Sequence, residues 1–186
     1  MKLEECAASV VAALEKACIP HMLVGGLSSN IYSIPRSTKD VDFVVKLESS
    51  AFLREIECHL PDGFTFDPQI TFENITGNVR HLLRIDGTPL VVELFELREG
   101  DAFQSERFRR RKSLHLPSLN RSVPIPTAED VVVQKLRWAR PKDLEDARGV
   151  MAVQGSALDY DYIRKWCLEL GILDRLETVR RTVPEI

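Results

Sequence analysis

Asp40, Asp42 and Glu93, with the paired glycines Gly25-Gly26, are the residues here whose types and spacing suit a chemical task. The run from Val24 to Val45 reads VGGLSSNIYSIPRSTKDVDFVV, glycines near its start and aspartates near its end. Side chains alternate along a strand with period 2, so Asp40 and Asp42 share one face while Val41, Phe43 and Val45 take the other. Two like charges at the mouth of an apolar strand repel each other, and a divalent cation is the usual compensation. Glu93 stands alone in the apolar run Leu90-Val91-Val92-Glu93-Leu94-Phe95. A carboxylate in such a strand must find a cation or sit where the sheet meets solvent.

Together these carboxylates suit Mg²⁺, which takes oxygen ligands from a few acids, waters and substrate phosphates, with Mn²⁺ as a substitute. Two such ions, about 3.5–4 Å apart, can bridge the attacking and leaving oxygens of an in-line displacement. Asp40 and Asp42 would hold both ions, and Glu93 would hold one of them and act as base toward the acceptor. A Gly-Gly turn into a helix lets backbone approach phosphate, so Gly25, Gly26 and Ser28 are candidates to cradle a nucleotide's phosphates. Arg36, Lys39 and Lys135 are the candidate positive groups. Two blander alternatives stand beside these. The glycines alone fit a tight strand-to-helix turn, and Arg36 and Arg84 could satisfy the acids through ion pairs with no metal.

These residues need a scaffold. Apolar positions at helical spacing over 3–18 predict an amphipathic helix closed by Pro20, followed by a short buried strand, His21 to Val24. Ser28 to Tyr32 reads as a short helix, Val41 to Leu47 as a strand, and Glu48 to Leu60 as a helix with Ser49 or Ser50 near its cap. Val79 to Ile85 and Pro89 to Leu94 predict a hairpin through Asp86-Gly87-Thr88, its second strand central because it is almost wholly apolar. The basic cluster at 106–112 reads as a solvated edge strand or loop, or as a contact for a polyanion. Leu114 to Leu116 and Val123 to Ile125 suggest another hairpin. After Pro126 the pattern is all helical, with Thr127 as a cap and Pro141 opening the next helix.

The bulk numbers suit an ordinary soluble chain of 186 residues, 44% apolar and 28% charged. A net charge of −3 does not advertise a nucleic-acid binder. The cysteines at 6, 18, 58 and 167 are scattered and read as free thiols in a reducing cytoplasm. The N-terminus lacks a signal-peptide pattern, and no apolar run approaches the ~20 residues that span a membrane, so a cytoplasmic protein with no membrane partner is expected.

The run Gly25-Gly26-Leu27 followed by Pro35-Arg36-Ser37-Thr38-Lys39-Asp40-Val41-Asp42 resembles the nucleotidyltransferase superfamily with the polymerase-beta-like fold. That family shows Gly followed by Gly or Ser at a helix start, then Asp-x-Asp or Asp-x-Glu on the next strand. Its third acid lies on a later strand, where Glu93 in Val-Val-Glu-Leu matches. The Arg-x-Thr-x-Asp-x-Asp arrangement, and the segment from Lys135-Leu136-Arg137 to Asp146, are similar to a bacterial branch that includes abortive-infection toxin-like and antitoxin-related proteins. Ser28-Ser29-Asn30 after the glycines, and Glu rather than Asp as third acid, depart from the common pattern.

The resemblance implies an α+β fold: a mixed-sheet nucleotidyltransferase core over 1–126 with flanking helices, and a helical part over 127–186. It implies transfer of a nucleoside monophosphate from an NTP, with Mg²⁺ and release of pyrophosphate, to a hydroxyl or phosphate acceptor. A protein, an RNA end and a small molecule are all open as acceptors. The alternative, from another class, is a catalytically weak or inactive module of this fold that binds a partner protein, such as an antitoxin.

Overall fold

The computed structural model describes residues 1–49, 51–98 and 100–184. Two compact units divide the chain, one of residues 1–27 and 37–125, the other of 28–36 and 126–186.

The first unit is built on a mixed sheet. Its strands are β1 (His21–Val24), β2 (Asp40–Val45), β3 (Phe64–Phe66), β4 (Thr71–Phe72), β5 (Val79–Ile85) and β6 (Val91–Glu96). Their order is β1-β2-β6-β5-β3, with β4 also paired to β5. β2 and β6 run parallel, and the other pairs are antiparallel. The apolar run of β6 is explained by its place between β2 and β5, with neighbours on both edges. One face of the sheet buries Leu23, Val41, Phe43, Leu83, Val92 and Leu94. Helix α1 (Leu3–Lys16) packs on β2 and on helix α3 (Ala51–His59). Ser50, one of the serines expected near the cap of α3, lies outside the described residues.

The other face is divided. Met22, Val24, Val44 and Phe95 pack with Phe108, which comes from helix α4 (Ala102–Arg109). Asp40, Asp42, Glu93, Arg80 and Arg84 lie on the same face, because register partners on neighbouring strands project together: Asp40 beside Val91, Asp42 beside Glu93, Leu82 beside Glu93.

Some boundaries differ from the sequence expectation. Strand β2 begins at Asp40 itself, and β6 runs on to Glu96, which puts Glu93 inside its strand. The basic cluster is no edge strand or loop in its first half. Residues 106–109 close α4, which Asp101 caps by accepting from the Gln104 amide at 3.0 Å. Arg107 is buried, Arg109 pairs with Glu106, and the Arg111 guanidinium lies 4.1 Å from the Phe108 ring centroid. Charges all round the helix blur its apolar stripe, which is why periodicity does not reveal it. The hairpin of β7 (Lys112–Leu116) and β8 (Arg121–Ile125) forms its own two-stranded sheet. Its turn places Asn120 in the left-handed region at φ 48°.

The second unit holds α5 (Ala128–Trp138), α6 (Pro141–Gln154), α7 (Tyr160–Glu169) and α8 (Leu173–Arg180). Thr127 caps α5, its hydroxyl accepting from the Asp130 amide and donating to the Asp130 carboxylate. Asp130 also accepts from the Tyr162 hydroxyl at 2.6 Å, so this fully buried acid is hydrogen-bonded on both oxygens. Leu136, Val150, Ile163 and Leu176 fill the core between the helices. Among the described residues no helix is long and apolar enough to cross a membrane.

Candidate active site

The glycine pair is there to make room. Helix α2 (Gly25–Tyr32) starts at Gly25 itself, which has φ +69°, a conformation costly for any residue with a Cβ. A Cβ built on Gly25 would lie 1.7 Å from Asp42 Oδ2, and one on Gly26 would lie 2.7 Å from Thr38 Oγ1. The turn therefore presses its backbone against the two side chains that precede and enter β2. The spacing from Gly-Gly to Thr-x-Asp-x-Asp, legible as a motif, is one steric unit in the structure. Asp42 is half-buried beneath the turn, while Asp40, at the strand's first residue, and Lys39 are exposed.

Glu93 joins the pair from β6. Adjacent strands lie about 4.8 Å apart. As the direct register partner of Asp42, Glu93 thus projects from the same face one strand away. Its Oε1 accepts from Arg80 Nη1 at 3.1 Å, and Arg80 Nε donates to Thr71 Oγ1 at 3.0 Å. With the side chains as they lie, no group of three or more His, Cys, Asp or Glu that could hold a metal occurs among the described residues. The donor set suits Mg²⁺ in its chemistry, because it is all oxygen and Asp42 and Glu93 are register partners on adjacent strands. Arg84 bonds Asp67 at 2.8 Å, and Arg36 bonds Asp146.

Ser28, Arg36 and Lys135 belong to the second unit. Ser28 is buried in α2. Arg36 grips Asp146 with two parallel bonds, Nε to Oδ1 at 2.6 Å and Nη2 to Oδ2 at 2.7 Å, the fork geometry that makes arginine–carboxylate pairs strong. Asn30 ties the same stretch: its Nδ2 donates to the Arg36 carbonyl and its Oδ1 accepts from the Arg36 amide. Lys135, only 4% exposed, bridges Asp143 at 3.2 Å and Asp146 at 2.7 Å. Burial pushes the Asp146 carboxyl up, but the hydrogen bonds from Arg36 and Lys135 outweigh it and hold the group below the usual carboxylate range. The bond to Asp146 in turn raises Arg36.

Arg80 and Asp146 were not singled out from sequence. Alternation along β5 places Arg80 and Arg84 opposite the buried His81, Leu83 and Ile85, yet it cannot say which acid each arginine meets. Asp146 stands 110 residues from Arg36, and nothing local announces that pairing.

No protein-family model matches the sequence, and no curated protein matches it as a relative. Solved structures do match the fold. The crystal structure of ANT(2'')-Ia in complex with adenylyl-2''-tobramycin is 14% identical, covers 90% of this chain and 96% of that one, and has a TM-score of 0.59. An antigenic nucleotidyltransferase-like protein from Paracoccidioides brasiliensis is 16% identical over 100% of this chain and 96% of its own, with a TM-score of 0.56. The lincosamide antibiotic adenylyltransferase LnuA, lincomycin-bound, is 11% identical over 82% of this chain and 98% of its own, with a TM-score of 0.52. At such identities the likeness is one of architecture: this chain has the nucleotidyltransferase fold, with an α+β core on a mixed sheet.

Proposed function

We propose that this chain is a metal-dependent nucleotidyltransferase that moves a nucleoside monophosphate from an NTP to a hydroxyl or phosphate acceptor and releases pyrophosphate. The observation that carries this is the placement of Asp42 beneath the Gly25 turn and beside Glu93, with Asp40 on the same face. Asp40, Asp42 and Glu93 would hold the divalent cation. When bound, it neutralises phosphate charge and acidifies the acceptor. The Gly25-Gly26 backbone and Lys39 receive the outer phosphates. An acceptor oxygen forms its bond to the α-phosphorus as the bond to the bridging oxygen breaks, and Glu93 takes the acceptor's proton. Arg36 and Lys135 already commit their charge to Asp146 and Asp143, so they hold the second unit together rather than phosphate.

Two fold neighbours bear on the acceptor. One was crystallised with adenylyl-2''-tobramycin and the other is a lincosamide adenylyltransferase. A hydroxylated small molecule is therefore the first acceptor class to try, ahead of RNA ends and protein side chains. The test incubates the full chain with Mg²⁺, each α-labelled NTP and these acceptor classes in turn. Pyrophosphate release and label transfer that vanish in Asp42→Asn support the proposal. Neither signal with any NTP and acceptor, together with a protein that co-purifies with the chain, supports a binding module in its place.

A further inference from the structure

Glu93 already has a cation, and it belongs to the chain. Arg80 reaches diagonally across the β5–β6 pair to Glu93, since Leu82 is the residue directly opposite. Its guanidinium is aimed there by a second contact, Nε on Thr71 Oγ1, and Thr71 donates back to the Arg80 carbonyl at 3.0 Å. Strand β4, which supplies Thr71, pairs with β5 over only two residues, Thr71 with Arg80 and Phe72 with Val79. The short strand thus positions the arginine that bonds the third acid.

We propose that Arg80 is an exchangeable counter-ion for Glu93, resting on the metal-dependent reading above. Arg80 holds the carboxylate while no divalent cation is bound and releases it when Asp42 and Glu93 take one. Two magnitudes favour exchange at this pair. The side chains of Arg80 and Glu93 are 29% and 21% exposed, so water reaches both partners and weakens the pair. Those of Lys135 and Asp146 are 5% and 4% exposed, so opening that pair would strand a buried charge. A doubly charged ion facing two carboxylates outcompetes a single guanidinium bond at one of them. Without a metal, Arg80 also relieves the repulsion among Asp40, Asp42 and Glu93 on one sheet face. Metal affinity is then set in part by a residue that is no metal ligand.

The test is a Mn²⁺ titration of the full chain, followed by the electron paramagnetic resonance signal of free Mn²⁺. Arg80→Gln is expected to bind Mn²⁺ about 3- to 5-fold more tightly than the unaltered chain, the upper end of what a single solvent-reached ion pair contributes. Arg80→Lys keeps the charge and stays within about 2-fold. Arg84→Gln, on the same face and strand but paired to Asp67, also stays within about 2-fold. In a Glu93→Gln background the gain from Arg80→Gln disappears. Asp42-dependent binding that Arg80→Gln leaves unchanged, or that Arg84→Gln tightens equally, overturns the counter-ion role alone. Absence of Asp42-dependent Mn²⁺ binding in every variant overturns it together with the metal reading beneath it.

Discussion

Gly25 yields its side-chain space to Asp42: a Cβ at position 25 would stand 1.7 Å from the Asp42 carboxylate oxygen, in a backbone conformation with φ +69°. Turn and acid are therefore one object. Gly25→Ala must move Asp42 or the turn, and it adds left-handed strain of about 1 kcal/mol. A displacement near 1 Å at a reacting centre costs about 100-fold in rate. Nucleotidyl transfer by Gly25→Ala is expected to fall at least that far while the variant stays folded by circular dichroism. Gly26→Ala, which crowds Thr38 rather than an acid, should lose less.

The β2 motif was readable from sequence for the same steric reason. Glycine at 25 and 26 is a demand of close approach, and the alternation of Asp40 and Asp42 with Val41 and Phe43 is a demand of strand geometry. Both are local. The partners of Arg36, Lys135 and Glu93 are not: Asp146 and Arg80 meet them only through helix packing and strand register. Helix α4 escaped for a different reason, since Phe103 and Phe108 alone mark its buried side among arginines.

Asp146 is the hub of the second unit's charges. Asp146→Ala leaves Lys135 buried with one acid fewer and should cost about 3–5 kcal/mol, read as a loss of thermal stability. Trp138 and Trp166 both lie in this unit, so tryptophan fluorescence follows it. Because the folded pKa of Asp146 is lowered, the unfolded state binds more protons through that window. Its contribution is complete above about pH 4 and is lost as pH falls through the lowered value. Asp146→Asn should be less stable at neutral pH and show a shallower acid transition.

His21 acts on the same acid side, at higher pH. Burial lowers its pKa, outweighing the Ile19 carbonyl that accepts from Nδ1 at 2.9 Å, and its Nε2 is buried with no hydrogen-bond partner among the described residues. The unfolded chain therefore takes up this proton first on acidification. Stability from His21 is complete above about pH 6.5 and declines as pH falls through the folded value. Melting temperatures at about pH 7.5 and 5.5 should differ less in His21→Leu than in the unaltered chain.

Thiol chemistry separates the cysteines. Cys18 and Cys58 are exposed, whereas Cys6 and Cys167 are buried, with burial pushing their thiols up to about 11 and about 12. A disulfide reagent at neutral pH should modify Cys18 and Cys58 promptly, and Cys6 and Cys167 only at the rate of unfolding. Mass spectrometry of the labelled peptides reads the order directly.

Nucleotide binding measured by calorimetry, with and without Mg²⁺, tests the central claim most directly. The acids beside the Gly25 turn predict NTP binding that requires Mg²⁺ and weakens by about 10-fold or more in Asp42→Asn, a loss within the span of removing one charged ligand. Binding of equal strength in excess chelator, or undiminished in Asp42→Asn, would contradict the claim that Asp40, Asp42 and Glu93 form a metal-dependent nucleotide site.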